Sequence, residues 1–180
     1  MPGPGMDLFR AIEEKLGRPA IIAEDLGFLT PSVLKLLEDS GFPGMKVLQF
    51  AFDARESSNY LPHTYPMHCV VYTGTHDNDT TRGWYHAVGK EIRDFAKEYM
   101  CKPRLDEDTL AGDFIAMAMG SVADLCVIPM QDYLGLGSEA RINTPSTLGG
   151  NWMWRMKEGQ FDDKTVEEVL RVTRLYGRLP

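Results

Sequence analysis

Cysteine is scarce in this sequence, and its three copies are scattered. They are Cys69, Cys101 and Cys126, with no Cys-x-x-Cys spacing among them. Disulfide-rich domains and thiolate metal sites need closely spaced cysteines, so neither class is indicated. Cys69 and Cys126 lie within apolar runs, which is typical of buried thiols. We therefore expect no disulfide framework and a cytoplasmic location.

Positive charge and long apolar runs are also lacking. Lys and Arg total 19 against 26 Asp and Glu, and the formal net charge is −7. This balance argues against nucleic acid or an anionic membrane as a partner, because both attract clustered Lys and Arg. No apolar run approaches the ~20 residues that a transmembrane helix needs, and residues 1–5 have no features of a signal peptide. The length fits one domain, residues 1–180.

What the sequence does contain is a series of short apolar runs that end in polar residues. Runs of this length, bounded by turn residues, are typical of buried strands. We predict strands at 20–23, 44–52, 69–75 and 125–130. Their polar ends are, in order, Glu24-Asp25, Asp53, His76-Asp77 and Gln131-Asp132.

Helical patterns separate most of these strands. Apolar residues recur at helical spacing in several intervening segments, and a capping box from Thr165 to Glu168 predicts the start of the last helix. Alternating strands and helices predict a parallel sheet with right-handed crossovers. Polar groups at several strand ends are typical of a (β/α)8 barrel, but a complete barrel has eight such units and ~250 residues. The pattern therefore predicts an α/β fold that is half a barrel or a small open sheet.

Glu24 and Asp77 are the candidate catalytic acids. Each follows an apolar strand, so we expect both to lie partly desolvated at one rim of the sheet. Glycoside chemistry needs one carboxyl to protonate the leaving oxygen, and a negative charge to oppose an oxocarbenium-like transition state. The alternative is that both residues cap or ion-pair loops, and position alone does not separate the two interpretations.

His76-Asp77-Asn78-Asp79 also suggests a metal hypothesis. An Asp-x-Asp motif can hold a divalent cation against a sugar-nucleotide phosphate, because hard cations prefer oxygen ligands. No Gly-rich phosphate loop or second His/Asp cluster accompanies it, so a metal-dependent glycosyltransferase is the weaker alternative. Some aromatics are candidates for stacking on sugar rings, although aromatic residues are more often core: Tyr60, Tyr65, Trp84, Trp152 and Trp154.

Six stretches of the chain resemble the 4-α-glucanotransferases, the amylomaltase or disproportionating-enzyme family (glycoside hydrolase family 77). In collinear order they are IIAEDLG at 21–27, FPGMKVLQFAF at 42–52, YLPH at 60–63, YTGTHDNDTT at 72–81, QDYLGLGSEARINTP at 131–145 and GNW at 150–152. The resemblance implies a (β/α)8 barrel that transfers α-1,4-glucan segments between maltooligosaccharides by a retaining double displacement. It implies no cofactor and no metal.

The resemblance also implies roles for individual residues. Glu24 matches the general acid/base of the family. Asp77 matches the aspartate that stabilises the transition state, and His76 matches the neighbouring histidine that contacts the sugar. Asp53 and Asn143 fall where family members touch the glucan.

The resemblance further implies that the nucleophile is missing from these residues. Retention needs a second carboxylate ~5–5.5 Å from the acid/base. In the family it is an aspartate on the strand before the one that leads to Glu24. The chain resembles the C-terminal half of the barrel, strands five to eight, so we expect a fragment that is inactive alone. The alternative is a non-catalytic glucan-binding or structural half-barrel, which pairs with itself or with a missing half through exposed strand edges.

Overall fold

Three short parallel strands form the centre of the fold. The computed structural model describes residues 3–27, 29–53 and 59–179. Its strands are β1 (Gly44–Val47), β2 (Cys69–Tyr72) and β3 (Leu125–Val127). They pair in chain order, with Gly44 opposite Cys69 and Val70 opposite Leu125. This arrangement confirms the predicted α/β class and parallel sheet, and it brings the C-terminal strand ends to one edge.

Helices connect the strands and flank them. They are α1 (Met6–Leu16), α2 (Pro31–Ser40), α3 (Thr81–Ala87), α4 (Lys90–Tyr99), α5 (Glu107–Met119), α6 (Met130–Tyr133) and α7 (Asp163–Leu175). Single 3-10 turns lie at Leu48–Phe50, Pro62–Thr64 and Ser138–Ala140. Within the described ranges, no helix is both long enough and apolar enough to cross a membrane.

Phe52 is the centre of an aromatic cluster in the main core. Its side chain is fully buried. Its ring centroid lies 6.0 Å from Trp84, 6.3 Å from Phe95, 5.9 Å from Tyr99 and 5.6 Å from Phe114. Tilted and edge-on ring pairs at these distances each stabilise a core by about 0.5–1.5 kcal/mol beyond their buried area. The cluster therefore holds α3, α4 and α5 against the segment that follows β1.

The predicted first strand, residues 20–23, is wrong as a strand, although the segment runs beside β1. The Ala23 amide donates to the Pro43 carbonyl at 2.9 Å. At the next step along β1, the Met45 amide donates to the Asp25 carboxylate at 2.5 Å. Because a side chain accepts the bond that a neighbouring strand's carbonyl would take, the ladder does not continue here.

The other strands end earlier than predicted. The run at 44–52 leaves the sheet after Val47 and enters a 3-10 turn, in which the Ala51 amide donates to the Leu48 carbonyl at 3.0 Å. The run at 125–130 ends at Val127. Pro129 has no amide hydrogen for the ladder, and α6 begins directly after it.

The last helix begins before the predicted capping box. The Asp162 carboxylate accepts hydrogen bonds from the Thr165 amide at 2.8 Å and from its hydroxyl at 2.7 Å, so Asp162 is the N-cap. Glu168 instead pairs with Arg171, with both carboxylate oxygens 2.7 Å from guanidinium nitrogens. The predicted capping box from Thr165 to Glu168 is therefore wrong. Thr165 lies inside the helix, and its amide is already bonded to the Asp162 side chain.

Candidate active site

A cleft of about 1700 Å³ opens at the C-terminal edge of the sheet. Its lining includes Glu24, Asp53, His76 and Asp77. The fifth predicted site residue, Asn143, donates from its side-chain amide to the Asp77 carboxylate at 2.6 Å. The structure therefore brings all five predicted residues to one region, although they are far apart in the sequence.

His76 and Asp77 lie on the loop between β2 and α3, which we call the Asp77 loop (residues 74–80). A turn shapes it: the Asn78 amide donates to the Thr75 carbonyl at 3.2 Å. The Asn78 side-chain oxygen in turn accepts from the Thr75 amide and hydroxyl, both at 2.9 Å. Because Asn78 folds back onto Thr75, His76 and Asp77 occupy the tip of the turn.

Asp77 is held through both its side chain and its backbone. Besides the bond from Asn143, the His76 Nε2 atom lies 3.3 Å from the same carboxylate oxygen. The Arg141 guanidinium donates to the Asp77 carbonyl at 2.7 Å, and also to the Asn143 carbonyl at 2.8 Å. Residues 141–143, which follow β3 and α6, therefore act as a support for Asp77. Arg141 had no predicted role, since no local sequence pattern marks a contact of this range.

His76 packs against an aromatic side chain that sequence analysis had considered only as a sugar-stacking candidate. Its ring centroid lies 5.1 Å from that of Trp152, with a 35° angle between the planes. Trp152 has φ +63°, a conformation that is costly for a bulky residue. Its amide donates to the Ile142 carbonyl at 2.7 Å, which ties this strained position to the Asp77 support. Trp152 is 55% exposed, so this pair lies at the protein surface.

Glu24 and its neighbour Asp25 face opposite ways. Glu24 lines the cleft and is exposed, whereas Asp25 is buried against β1. Successive side chains of an extended backbone alternate in direction, which explains the split. Asp77 is exposed as well, with 49% of its side-chain surface accessible, so neither carboxyl is buried within the described residues. Both lie beyond the strand ends, and Asn143 and His76 contact only one oxygen of the Asp77 carboxylate.

Asp53 lies in the cleft and is half-buried. It follows the 3-10 turn after β1 and directly precedes residues 54–58, which lie outside the described residues. Gln49, a residue with no predicted role, belongs to the same turn and also lines the cleft. Its buried side chain donates to the Asp79 carbonyl at 2.7 Å, and its own carbonyl accepts from the Trp84 indole at 3.1 Å.

Asp132, at the predicted polar end of the last strand, does not face the cleft. It is 3% exposed and accepts hydrogen bonds from Thr73 and Thr81. Burial raises the pKa of the Asp132 carboxyl, while the bonds from the two threonines act in the opposite direction. The adjacent Gln131 lines the cleft instead and donates to the Ala140 carbonyl at 3.2 Å.

The Asp-x-Asp metal hypothesis is not favoured by the geometry. Asp77 faces Asn143 and His76, whereas the Asp79 carboxylate accepts from the Ser138 hydroxyl at 2.7 Å and from the Thr80 amide at 2.8 Å. The two carboxylates are thus committed to different partners. Across the residues that the structure describes, no group of three His, Cys, Asp or Glu side chains is arranged to hold a metal ion.

Comparison with known proteins matches the chain to one family along most of its length. The family model described as 4-alpha-glucanotransferase matches residues 1–161. The 4-alpha-glucanotransferase of Clostridium butyricum is 49% identical over 177 residues, which are 98% of this chain and 36% of that protein. The chloroplastic/amyloplastic 4-alpha-glucanotransferase of Solanum tuberosum is 43% identical over 180 residues, covering 98% of this chain and 31% of the relative.

A solved structure shows a similar fold. The amylomaltase of Streptococcus agalactiae, determined in complex with acarbose, superposes with a TM-score of 0.90 at 35% identity. The match covers 98% of this chain and 36% of that one. The chain thus spans about a third of the length of the relatives that it matches, at 36% and 31% of the two curated proteins above.

Proposed function

The chain belongs to the 4-alpha-glucanotransferase family, and from this we propose that it provides part of the catalytic site that transfers α-1,4-glucan segments between maltooligosaccharides. The observation that carries the proposal is the shared cleft. Glu24, His76 and Asp77 line it together, and Asn143 supports Asp77 from a different segment.

We assign the roles as follows. Glu24 is the general acid/base: it protonates the leaving glycosidic oxygen and then deprotonates the incoming acceptor hydroxyl. Its exposed carboxyl is accessible to both groups in the cleft. Asp77 supplies negative charge beside the oxocarbenium-like transition state, and His76 contacts the sugar hydroxyls. Asp53 and Asn143 contact the glucan in the same cleft, with Asn143 also orienting Asp77.

The fold supports a partial-barrel architecture. The chain has three parallel strands in chain order and a segment that bonds to the β1 region through Ala23 and Asp25, and as a whole it matches 36% of the amylomaltase chain. We propose that the segment at 20–23 occupies the place of strand five, and that β1, β2 and β3 are strands six to eight of a (β/α)8 barrel. On this assignment residues 1–180 are one partial barrel domain of a longer enzyme.

A retaining double displacement also needs a nucleophilic carboxylate ~5–5.5 Å from the acid/base. We propose that residues 1–180 do not provide it, so that these residues alone do not catalyse transfer. A second candidate function follows from β3, whose Leu125 and Val127 are 48% and 38% exposed. Exposed apolar strand residues at an edge favour pairing with another segment, as a glucan-binding or structural half-barrel would require. A cytoplasmic location stays a prediction.

The decisive experiment uses a hybrid enzyme, in which residues 1–180 replace the matching segment of the Clostridium butyricum enzyme. We expect the hybrid to disproportionate maltotriose, with EDTA present, and Glu24→Gln and Asp77→Asn each to reduce kcat at least about 1000-fold, since each removes a group acting in the transition state. Glu14→Gln, an exposed change on α1, is the matched control and should have no effect.

Three results would contradict the proposal. A folded hybrid without activity would remove the glucanotransferase assignment. Activity lost in EDTA and restored by Mn²⁺ would favour the metal-dependent alternative. Glucose release from maltotriose by residues 1–180 alone, at a rate near that of the hybrid, would show that the nucleophile lies within them.

A further inference from the structure

The Asp132 carboxylate bonds to both ends of the Asp77 loop. Before the loop, the Thr73 hydroxyl donates to one carboxylate oxygen at 2.5 Å. After the loop, the Thr81 amide donates to the other oxygen at 2.8 Å, and the Thr81 hydroxyl donates to the first at 2.9 Å. Thr73 and Thr81 are both fully buried. A single side chain from the segment after β3 therefore closes the loop that carries His76 and Asp77.

Asp132 is an unusual residue for a purely structural position. It is 3% exposed, and the three groups that donate to it are neutral. Burying a carboxylate without a cation is costly, and an apolar side chain of similar volume is often as stable or more stable in such a place. The feature that an apolar residue cannot reproduce is the simultaneous hold on Thr73 and Thr81.

Gln49 provides a second contact to the same loop from the β1 side. Its side-chain amide donates to the Asp79 carbonyl at 2.7 Å. A Cβ atom on Gly74 would lie 2.7 Å from the same Gln49 nitrogen, so the loop approaches Gln49 as closely as glycine allows. The loop is thus fixed at both ends and near its exit, while its tip at His76 and Asp77 faces the cleft.

We propose that Asp132 is a positioning residue for glucan transfer: by closing the Asp77 loop it sets where His76 and Asp77 meet the sugar. The inference rests on the proposed function, because it assumes that Asp77 acts on a sugar. The loop between Thr73 and Thr81 is short, so a displacement at its ends is carried to its tip. A misplacement of about 1 Å in a catalytic group can reduce a rate roughly 100-fold.

Two substitutions of Asp132 separate geometry from charge. Asp132→Ala removes all three bonds. Asp132→Asn keeps an oxygen for the Thr81 amide and places its NH2 group against the two hydroxyls, which accept as well as donate. In Asp132→Asn all three contacts are kept, but in two of them the Asn side chain donates and the threonine hydroxyl accepts. Asp132→Asn should therefore retain most of the activity that Asp132→Ala loses. Met119→Ala is the matched control: Met119 is 7% exposed, ends α5 and does not line the cleft.

The activity measurement uses the hybrid enzyme with maltotriose. We expect Asp132→Ala to reduce kcat about 100-fold with KM changed less than about threefold, because misplaced Asp77 weakens binding of the transition state more than that of the substrate. Asp132→Asn should stay within about tenfold of the parent kcat. Met119→Ala should lower Tm without a comparable loss of kcat.

A second measurement does not depend on catalysis. Amide hydrogen exchange of the 180-residue chain should be at least about tenfold faster at residues 74–80 in Asp132→Ala, because local opening of the loop becomes easier. Asp132→Asn and Met119→Ala should leave that loop protected relative to the rest of the chain.

The two measurements fail separately. If the hybrid is inactive but amide exchange at 74–80 is faster in Asp132→Ala, the proposed function is wrong, whereas the conclusion that Asp132 fixes the loop is retained. If exchange at 74–80 is unchanged in Asp132→Ala, the positioning role is overturned. It is overturned as well if the kcat losses of Asp132→Ala and Met119→Ala simply follow their Tm losses, since Asp132 would then be structural only.

Discussion

Asn143 donates a 2.6 Å hydrogen bond to the carboxylate of Asp77, although 66 positions separate the two residues. The contact joins the loop after β2 to the segment that follows β3. The backbone amide of Asn143 also donates to the His76 carbonyl, at 3.1 Å. The orientation of Asp77 is therefore set by two neighbouring strand ends, and substitutions in either segment should affect it.

Substitution of Asn143 should impair transfer without unfolding the protein. We expect Asn143→Ala to reduce kcat/KM of the hybrid enzyme about 10- to 100-fold, because Asp77 loses a donor that fixes its carboxylate. Asn143→Asp should be worse than Ala, since a second carboxylate 2.6 Å away would repel Asp77. Maltotriose kinetics beside Tm values test this, and an Asp variant as active as the parent would contradict it.

The three cysteines should differ sharply in reactivity. Cys69 is 1% exposed and donates to the Pro66 carbonyl, and burial raises the pKa of the Cys69 and Cys126 thiols to about 11 each. Cys101 is exposed. Because the thiolate is the reactive form, an aromatic disulfide reagent at pH 8 should label one thiol quickly in the native chain and all three in urea. Cys101→Ser should abolish the fast phase; a fast phase that survives this change would contradict the assignment.

The same thiols should make the fold less stable at alkaline pH. Their pKa in the folded state is about 11 against an ordinary 9.0, so the unfolded chain loses its thiol protons first as pH rises. Stability should therefore fall as pH rises from 9 through 11, by an amount on the order of 2–3 kcal/mol per thiol. Urea unfolding across this range measures it. The double variant Cys69→Ala, Cys126→Ala should have a shallower pH slope than Cys101→Ser.

His68 should have a pKa above the ordinary histidine value of 6.5 and so stay protonated at higher pH. Its Nδ1 atom lies 3.1 Å from the Asp124 carboxylate and its Nε2 atom 3.1 Å from the Gly41 carbonyl. Since both partners only accept, the doubly protonated ring fits best, and the bond to Asp124 raises the pKa of His68. Its stabilising effect is complete below pH 6.5 and is lost as pH rises through the folded-state pKa. An NMR titration should return the pKa toward 6.5 in Asp124→Asn; a parent pKa at or below 6.5 would be inconsistent.

Arg178, which follows α7, should stabilise the fold far more than Arg171, which lies within α7. Its guanidinium donates to the carbonyls of Met119 at 2.7 Å, Ala123 at 3.0 Å and Ser121 at 2.9 Å, which fixes the connection from α5 to β3. Arg178→Ala should cost about 2–3 kcal/mol in urea unfolding, because partly buried carbonyls lose a charged donor. Arg178→Lys should recover little of this stability, since an ammonium group cannot donate to all three carbonyls in the planar geometry of a guanidinium group.

Arg171 provides the control for that measurement. It forms an exposed pair with Glu168, and such pairs contribute about 0–1 kcal/mol. Arg171→Ala should therefore leave the unfolding free energy nearly unchanged. Equal losses for the two arginines would show that the Arg178 contacts do not stabilise the native chain.

Much of the site could be predicted because its parts are local. Apolar runs that end in Asp53 and His76-Asp77 predict parallel strands whose ends meet, a third run leads to Glu24, and the structure places all these residues in one cleft. The contacts of Arg141, Trp152 and Asp132 could not be predicted, because they depend on how distant segments pack. The strand at 20–23 was wrong for a related reason, since its pairing depends on the Asp25 side chain and not on its own apolar residues.

The Asp25–Met45 bond also makes the two edges of the sheet different in how they can pair with a further strand. On the outer side of β1, a carboxylate already occupies an amide that an incoming strand would need, and residues 20–26 lie along that side. On the far side, β3 is the last strand in the order that the described residues define, with Leu125 and Val127 partly open to solvent. A strand added on the far side would therefore pair with β3 directly, whereas a strand added on the opposite side would pair with the segment at 20–26 and not with β1.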